Sequence, residues 1–193
     1  LVWKLARRFA YHLADCIVVQ TEAVRDWYVD RGLSNVVVIP NPVIAGYIPS
    51  AERDAYRASL ARNKDELIVV SVGRLVDQKG FDVLLEAFAA LRTLLAGVAV
   101  RLCIAGEGPL REQLGAQIAA RDLSGNVTLL GNVHAVEKLL AAADLFVSSS
   151  RFEGFPNVLA EAMAIGCSVV SFEYNYGPRE LITHGVDGLL VPP

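Results

Sequence analysis

The sequence lacks the features by which several classes of protein are recognised. No apolar run approaches the roughly 18 residues that a membrane-spanning helix needs, and we expect no signal peptide. The 193 residues carry a net charge of −3, so no excess of basic charge indicates a nucleic-acid partner. Hydrophobic residues make up 53% and charged residues 20%, which excludes extensive disorder and predicts a globular protein.

Cysteine and histidine are both scarce, with three of each in the chain. Cys16, Cys103 and Cys167 lie in separate apolar runs without CxxC spacing. We therefore expect three buried free thiols in a reducing compartment instead of disulfides or a metal site. The histidines are far apart in the sequence and match no zinc-binding pattern.

Short apolar runs alternate with helical periodicity along most of the chain. The predicted strands are 16–20, 36–39, 67–72, 98–105, 127–130, 144–150, 168–172 and 188–191. The predicted helices are 2–13, 21–31, 51–62, 82–95, 110–121, 136–143, 156–165 and 178–182. Because strands that are apolar throughout and alternate with helices are typical of βαβ units, the sequence predicts an α/β fold with a Rossmann-like, doubly wound parallel sheet. Ligands of such sheets bind beyond the carboxyl ends of the strands.

Proline and glycine are concentrated in residues 40–49, which include three prolines and one glycine. This stretch is the best linker candidate in the chain. We therefore expect two parts, residues 1–48 and residues 49–193. The predicted helix at 2–13 has a basic face, and packing against the rest of the protein is favoured over contact with a membrane surface.

Two carboxylates lie eight positions apart across a predicted loop-to-helix junction. Glu153 belongs to the loop, and Glu161 lies about a turn and a half into a helix that Pro156 is suited to begin at its first position. Free N–H groups and the positive dipole end at such a junction favour a phosphate. We expect both carboxylates to face one crevice, and the alternative is two solvated carboxylates without a shared ligand.

The other loops after the predicted strands also carry polar residues. Arg74 and Lys79 follow strand 67–72, and both could reach one diphosphate, although a solvated pair is the alternative. Loop 106–109 does not match GxGxxG, so a dinucleotide fingerprint is not indicated. His134 is either a catalytic residue or a solvated residue at a helix start. The last of these loops, 173–180, either binds phosphate at a helix start or only caps that helix.

Six sequence blocks, taken in order, resemble blocks of the family 4 retaining glycosyltransferases, which have the GT-B fold. The blocks are 71–80, 104–109, 127–131, 143–150, 153–164 and 185–192. The fifth block contains the two glutamates of the E-x7-E motif of that family, Glu153 and Glu161. Residues 35–42 are also similar to the interdomain segment of the family, so the likeness covers nearly the whole chain.

The resemblance implies a role for each matching residue. Arg74 and Lys79 would neutralise the donor diphosphate and stabilise the leaving group, and with Glu153 they form the expected catalytic set. Glu153 would contact hydroxyls of the donor sugar, Glu161 the ribose hydroxyls, and the main chain at Val133 the base. No metal is expected, because the two cations and the helix dipole do its work. The expected donor-binding residues are Gly73, Arg74, Lys79, Val133, Glu153, Gly154, Phe155, Asn157, Val158 and Glu161.

The resemblance also implies a function for the full-length protein. It would transfer a sugar from a nucleotide-sugar, expected to be a UDP-sugar, to a glycan or lipid-linked acceptor in polysaccharide biosynthesis, with retention of configuration. A cytoplasmic location is expected, and the resemblance allows a peripheral contact with the inner face of the membrane. Residues 49–193 would be the donor-binding half of the GT-B fold, and residues 1–48 a remnant of the acceptor domain. We therefore expect weak nucleotide binding, no sugar transfer by this chain alone, and a remnant that is poorly anchored or packs non-natively on the domain.

Three other functions are alternatives to this one. A GT-B sugar-nucleotide epimerase shares the architecture, and a non-catalytic glycosyltransferase-like subunit would bind a partner protein. The presence of Arg74, Lys79, Glu153 and Glu161 together argues for a transferase over both. A generic dinucleotide-binding domain is the weakest alternative, because no glycine fingerprint follows the first strand of the domain.

Overall fold

A computed structural model of the chain describes residues 10–43, 46–174 and 176–193. These residues form two parallel sheets. The smaller sheet pairs β1 (Ile17–Val19) with β2 (Val36–Val38). The larger sheet contains six strands: β3 (Leu67–Val72), β4 (Val100–Ala105), β5 (Val127–Gly131), β6 (Leu145–Ser148), β7 (Ser168–Phe172) and β8 (Leu189–Val191). The predicted α/β fold with a doubly wound parallel sheet is confirmed.

Helices connect the strands throughout the described part of the chain. They are α1 (Glu22–Val29), α2 (Ser50–Leu60), α3 (Phe81–Leu94), α4 (Arg111–Ala120), α5 (Val136–Ala142), α6 (Asn157–Ile165) and α7 (Pro178–Leu181). Residues 10–13 are also helical, whereas the rest of the predicted helix at 2–13 lies outside the described residues. The described residues of the predicted linker contain neither helix nor strand. The predicted boundary at residues 48 and 49 lies between the two sheets.

The strand order of the larger sheet is β5-β4-β3-β6-β7-β8. The chain builds outward from β3 to β5, returns to place β6 beside β3, and then builds outward in the other direction. The winding therefore reverses between β3 and β6, where Val69 is the register partner of Leu145. In open parallel sheets the crevice that receives a ligand lies above such a reversal, at the carboxyl ends of the strands.

Apolar side chains cover both faces of the larger sheet. On β3, Val69 points into one core cluster together with Leu85 and Leu102, and its neighbour Val70 points into a second cluster with Phe146. Alternate residues thus enter opposite cores, which explains why this strand is apolar along nearly its whole length. Burial of each large side chain contributes about 1.5–3 kcal/mol, so the two clusters hold the loops above them on a stiff base.

Glu66 is a fully buried carboxylate one residue before β3, with 0% of its surface exposed. Its two oxygens accept hydrogen bonds from Arg62, from the backbone N–H at 2.6 Å and from Nε at 2.7 Å. The Nε atom of Arg101 lies 3.5 Å away. Burial acts to raise the pKa of Glu66, but the hydrogen bonds from Arg62 and the nearby positive charges outweigh it and lower the pKa. The start of β3 is therefore fixed by an ionised group.

The three cysteines are free, but they are not equally buried. Cys103 is buried and Cys167 is partly buried, and burial raises the pKa of each thiol to about 11. The prediction of a buried thiol is wrong for Cys16, which is exposed. Cys16 lies just before β1, which belongs to the two-stranded sheet. Within the described part of the chain, that sheet has no covering layer on one face, whereas core clusters cover both faces of the larger sheet.

The small sheet exposes apolar side chains. Val18 and Val37 are register partners on its two strands, and they are 56% and 47% exposed. The opposite face is covered better, because Val19 is buried. A two-stranded sheet with one open apolar face is only marginally stable by itself, so its contacts with the rest of the chain matter.

Candidate functional site

Two loops meet above the reversal in strand order. The first, called the β3 loop, comprises residues 73–80, and the second, called the β6 loop, comprises residues 149–156. Each follows one of two neighbouring strands of the larger sheet. Because parallel strands end at the same edge, the order of strands brings these loops side by side.

Hydrogen bonds join the β3 loop to the β6 loop. The hydroxyl of Ser149 donates to the carbonyl oxygen of Lys79 at 2.9 Å. The backbone N–H of Arg151 donates to the carbonyl of Gln78 at 2.8 Å, and the Gln78 amide donates to the carbonyl of Phe152 at 2.8 Å. The two loops therefore form one connected surface.

Arg151 anchors this surface to the start of α3. Its guanidinium donates two hydrogen bonds to the Asp82 carboxylate, at 3.0 and 2.7 Å, and a third to the carbonyl of Asp77 at 2.6 Å. The hydrogen bonds from Arg151 lower the pKa of Asp82 although burial opposes this shift. Sequence reasoning assigned no role to Arg151, because its partner Asp82 is 69 positions away.

Lys79 and Glu153 form the charged centre of the site. The ammonium of Lys79 lies 2.5 Å from Oε1 of Glu153, and the hydroxyl of Ser150 donates to the same oxygen at 2.7 Å. The two charged side chains are only 20% and 13% exposed. Because little water reaches this pair, its charges interact more strongly than they would on an open surface. Ser150 was not predicted as a site residue, although it ends a run of three serines that begins at the last residue of β6.

A cavity of about 100 Å³ lies under the paired loops. Its lining includes Lys79, Ser148, Ser150, Glu153, Phe155, Asn157 and Val158. The amino end of α6 borders this cavity, and within the described residues no acceptor pairs with the N–H groups of Val158 and Leu159. Such N–H groups in a first helical turn are a ready site for an anion. The prediction that Pro156 is the first residue of the helix is wrong, because it occupies the N-cap with ψ of 82°.

A second cavity, of about 220 Å³, lies beside the first. Its lining includes Gly73, Arg74, Gly106, Glu107, Asn132 and Val133, and Val72 lines both cavities. The structure thus divides eight of the ten predicted donor-binding residues between two neighbouring spaces, and Gly154 lines neither of them. Glu161 lines neither of them, and the predicted crevice shared by Glu153 and Glu161 stays a prediction. His134 is exposed and lines neither cavity.

The glycines of loop 106–109 allow a close approach of backbones. Gly106 has φ of 138°, and a Cβ atom placed on it would lie 1.9 Å from the carbonyl oxygen of Gly73. A Cβ atom on Gly108 would lie within 2.5 Å of the Leu75 backbone. The loop therefore packs directly against the β3 loop. In addition, Glu107 accepts a hydrogen bond from Arg111 at 3.0 Å and faces the second cavity, a position that the sequence did not indicate.

Gly177, in the segment between β7 and α7, packs against the β6 loop. A Cβ atom on Gly177 would lie 2.6 Å from Cδ of Pro156. The hydroxyl of Tyr174 is buried, and no described residue forms a hydrogen bond with it. Burial and then the charge of Glu153 raise the pKa of this phenol, so it stays protonated. Within the described residues, no cluster of His, Cys, Asp or Glu could hold a metal ion, and no helix of this part is long and apolar enough to cross a membrane.

The doubly wound sheet and the polar loops at its reversal define a Rossmann-like domain with a candidate ligand site. The chain belongs to the glycosyl transferases group 1 family, whose family model matches residues 52–193. The similarity to solved structures supports the GT-B glycosyltransferase fold that the sequence blocks indicated.

Curated relatives and solved structures extend this result. The chain is 35% identical over 183 residues to an exopolysaccharide phosphotransferase of Streptomyces coelicolor, covering 93% of this chain and 18% of the relative. It is 34% identical over 178 residues to the lipopolysaccharide core biosynthesis glycosyltransferase LpsE of Rhizobium meliloti, covering 92% of this chain and 49% of LpsE. The crystal structure of HepE from Anabaena in complex with UDP and glucose matches with a TM-score of 0.84 at 26% identity, covering 98% of this chain and 53% of HepE. The chain thus spans about half the length of these proteins or less.

Proposed function

We propose that this chain is the donor-binding part of a retaining glycosyltransferase that uses a nucleotide-sugar, expected to be a UDP-sugar. The observation that carries the proposal is the group formed by Lys79, Glu153 and the amino end of α6 above the reversal of the sheet. It combines a partly buried cation with unpaired N–H groups, which suits a diphosphate. A solved relative, HepE, is in complex with UDP and glucose.

The positive groups would stabilise the departing nucleoside diphosphate. Negative charge develops on the diphosphate as the bond to the sugar breaks, and Lys79, Arg74 and the N–H groups of α6 would each stabilise that charge. Lys79 is already held in place by Glu153, so little ordering is needed when the ligand arrives. No metal ion is required in this scheme, because these groups supply the positive charge.

The carboxylates and the second cavity would hold the rest of the donor. Glu153 would accept hydrogen bonds from sugar hydroxyls, and Glu161 from the ribose. The main chain at Val133 borders the cavity of about 220 Å³, where we place the base. One donor molecule would extend across both cavities, which adjoin each other because Val72 lines both.

The acceptor belongs to the same proposal. The two curated relatives carry names that refer to an exopolysaccharide and to a lipopolysaccharide core, which supports a glycan or lipid-linked acceptor for the whole protein. Retention of configuration, a cytoplasmic location and a peripheral membrane contact are part of the proposal through the family resemblance. An epimerase or a non-catalytic subunit is not favoured by these relatives.

Calorimetric titration with UDP, GDP and ADP tests the donor assignment. We expect UDP to bind most tightly, and Lys79→Ala to weaken its binding roughly tenfold or more, since a charge-assisted contact is lost. Glu161→Ala should also weaken the binding of UDP, because the substitution removes the proposed contact with the ribose. Matched controls are Lys64→Ala and Glu112→Ala, both at exposed positions outside the two cavities. If Lys79→Ala and Glu161→Ala bind UDP like the controls, the site assignment is wrong.

A further inference from the structure

Glu180 connects the two sheets of the protein. Residues 17–39, here called the N-terminal unit, contain the small sheet and α1. The carboxylate of Glu180, in α7, accepts a hydrogen bond from the N–H of Glu22 at 2.8 Å and another from the N–H of Ala23 at 3.0 Å. Each of its two oxygens takes one donor. These contacts join segments that are 158 and 157 positions apart in the sequence.

The two hydrogen bonds complete the cap of α1. The side chain of Thr21 accepts from the N–H of Val24 at 3.3 Å, and the Thr21 carbonyl accepts from the N–H of Arg25 at 3.1 Å. The first two N–H groups of the helix therefore have Glu180 as their acceptor. A carboxylate at this end also interacts favourably with the helix dipole. A complete cap contributed from a distant segment indicates a specific interface.

The chain just beyond the N-terminal unit also contacts the candidate donor site. Asn41, just beyond the unit, donates a hydrogen bond to the side chain of Asn157 at 2.8 Å, and Asn157 lines the cavity under the paired loops. Gly177, three positions before Glu180, packs on Pro156 of the β6 loop. Gly177 is therefore a direct contact between the β6 loop and the segment that carries the carboxylate capping α1.

We propose that Glu180 is a positioning residue that holds the N-terminal unit against the β6 loop, and that it couples donor occupancy to the placement of that unit. The coupling half of this proposal depends on the proposed function, whereas the holding half does not. Because coupling between two sites is reciprocal, a ligand that tightens the Glu180 contact must itself bind more tightly when the contact is present.

Hydrogen exchange tests the holding half without any ligand. In Glu180→Ala the backbone amides of Glu22 and Ala23 should exchange roughly tenfold faster than in the wild-type chain, because their acceptor is lost. Glu180→Gln keeps one acceptor oxygen and should give an intermediate effect. Glu173→Gln is the matched control, since Glu173 lies in the same loop and pairs only with Arg179 among the described residues. Unchanged protection of both amides in Glu180→Ala would overturn the proposal, provided that circular dichroism shows a folded protein.

Exchange measured with and without UDP tests the coupling half. Saturating UDP should slow exchange of the same two amides on the order of fivefold in the wild-type chain. By reciprocity, Glu180→Ala should then weaken UDP binding by a similar factor, and Glu173→Gln should not. If UDP binds but leaves the two amides unchanged, the coupling is wrong and the proposed function stands. If UDP does not bind at all, the proposed function and the coupling both fail, and the ligand-free exchange alone decides whether Glu180 holds the unit.

Discussion

Gly80 lies where the two loops of the candidate site touch. Its φ of 62° is in the left-handed region, and a Cβ atom would lie 2.1 Å from the carbonyl oxygen of Ser149. The residue also separates the short 3₁₀ turn, Asp77–Lys79, from α3. A side chain here would push the β6 loop away from the β3 loop and move Lys79 relative to Glu153.

We predict that Gly80→Ala lowers the free energy of unfolding by at least about 2 kcal/mol, because strain in the left-handed region adds to the clash. The matched control is Gly115→Ala in α4, where no atom lies within 4 Å of the added Cβ. That change should stabilise the protein by about 0.5–1 kcal/mol. Urea unfolding of both variants provides the measurement, and equal effects would contradict the packing described for Gly80.

The sequence identified several site residues but did not predict their partners. The pattern identified Lys79 and Glu153 as candidates because both follow predicted strands. It did not pair them, since a contact across 74 positions depends on strand order, which no local pattern contains. The same reason applies to Glu180 and α1. Cys16 was misjudged because burial of a short apolar run depends on a covering layer that the run does not specify.

The connection between α2 and β3 depends on one buried ionised group. Glu66 binds Arg62, just beyond the end of α2, and lies near Arg101 of β4. Its pKa in the folded protein is lower than the ordinary value of 4.5. The folded state therefore favours the ionised form. This contribution to stability is complete above pH 4.5 and is lost as the pH falls through the lowered pKa.

We predict that Glu66→Gln reduces the dependence of unfolding free energy on pH below pH 4.5. At neutral pH the variant should also be less stable by about 1–3 kcal/mol, because the guanidinium of Arg62 loses a charged acceptor. Glu112→Gln, at an exposed position of α4, is the control and should retain the acid dependence of the wild-type chain. If the unfolding free energy of Glu66→Gln falls with pH below pH 4.5 as steeply as that of the wild type, the lowered pKa assigned to Glu66 is contradicted.

Helices and strands were predicted better than their ends. The bounds of β3 and β7 agree with the predicted strands at 67–72 and 168–172, because a strand covered on both faces is mostly apolar along its whole length. The start of α6 was placed one residue early, since Pro156 fits either the first helical position or the cap. Only the loop conformation, with ψ of 82°, decides between them.

At the level of the whole molecule, we expect this chain to retain nucleotide binding but to lack sugar transfer. The chain spans 49% of LpsE and 53% of HepE, and the GT-B resemblance places the acceptor on a second domain. We predict that these 193 residues bind UDP but do not transfer sugar from a radiolabelled UDP-sugar to an added acceptor. Repeated turnover by the purified chain would show that these 193 residues already contain a complete active site. A mixture with boiled protein provides the background rate.

The open face of the small sheet has a consequence for handling the isolated chain. Both of its strands are edge strands, and Val18 and Val37 expose a pair of apolar side chains on it. Unpaired strand edges beside apolar surface are templates for intermolecular β-pairing, so concentrated samples are expected to aggregate through this sheet before the larger domain unfolds.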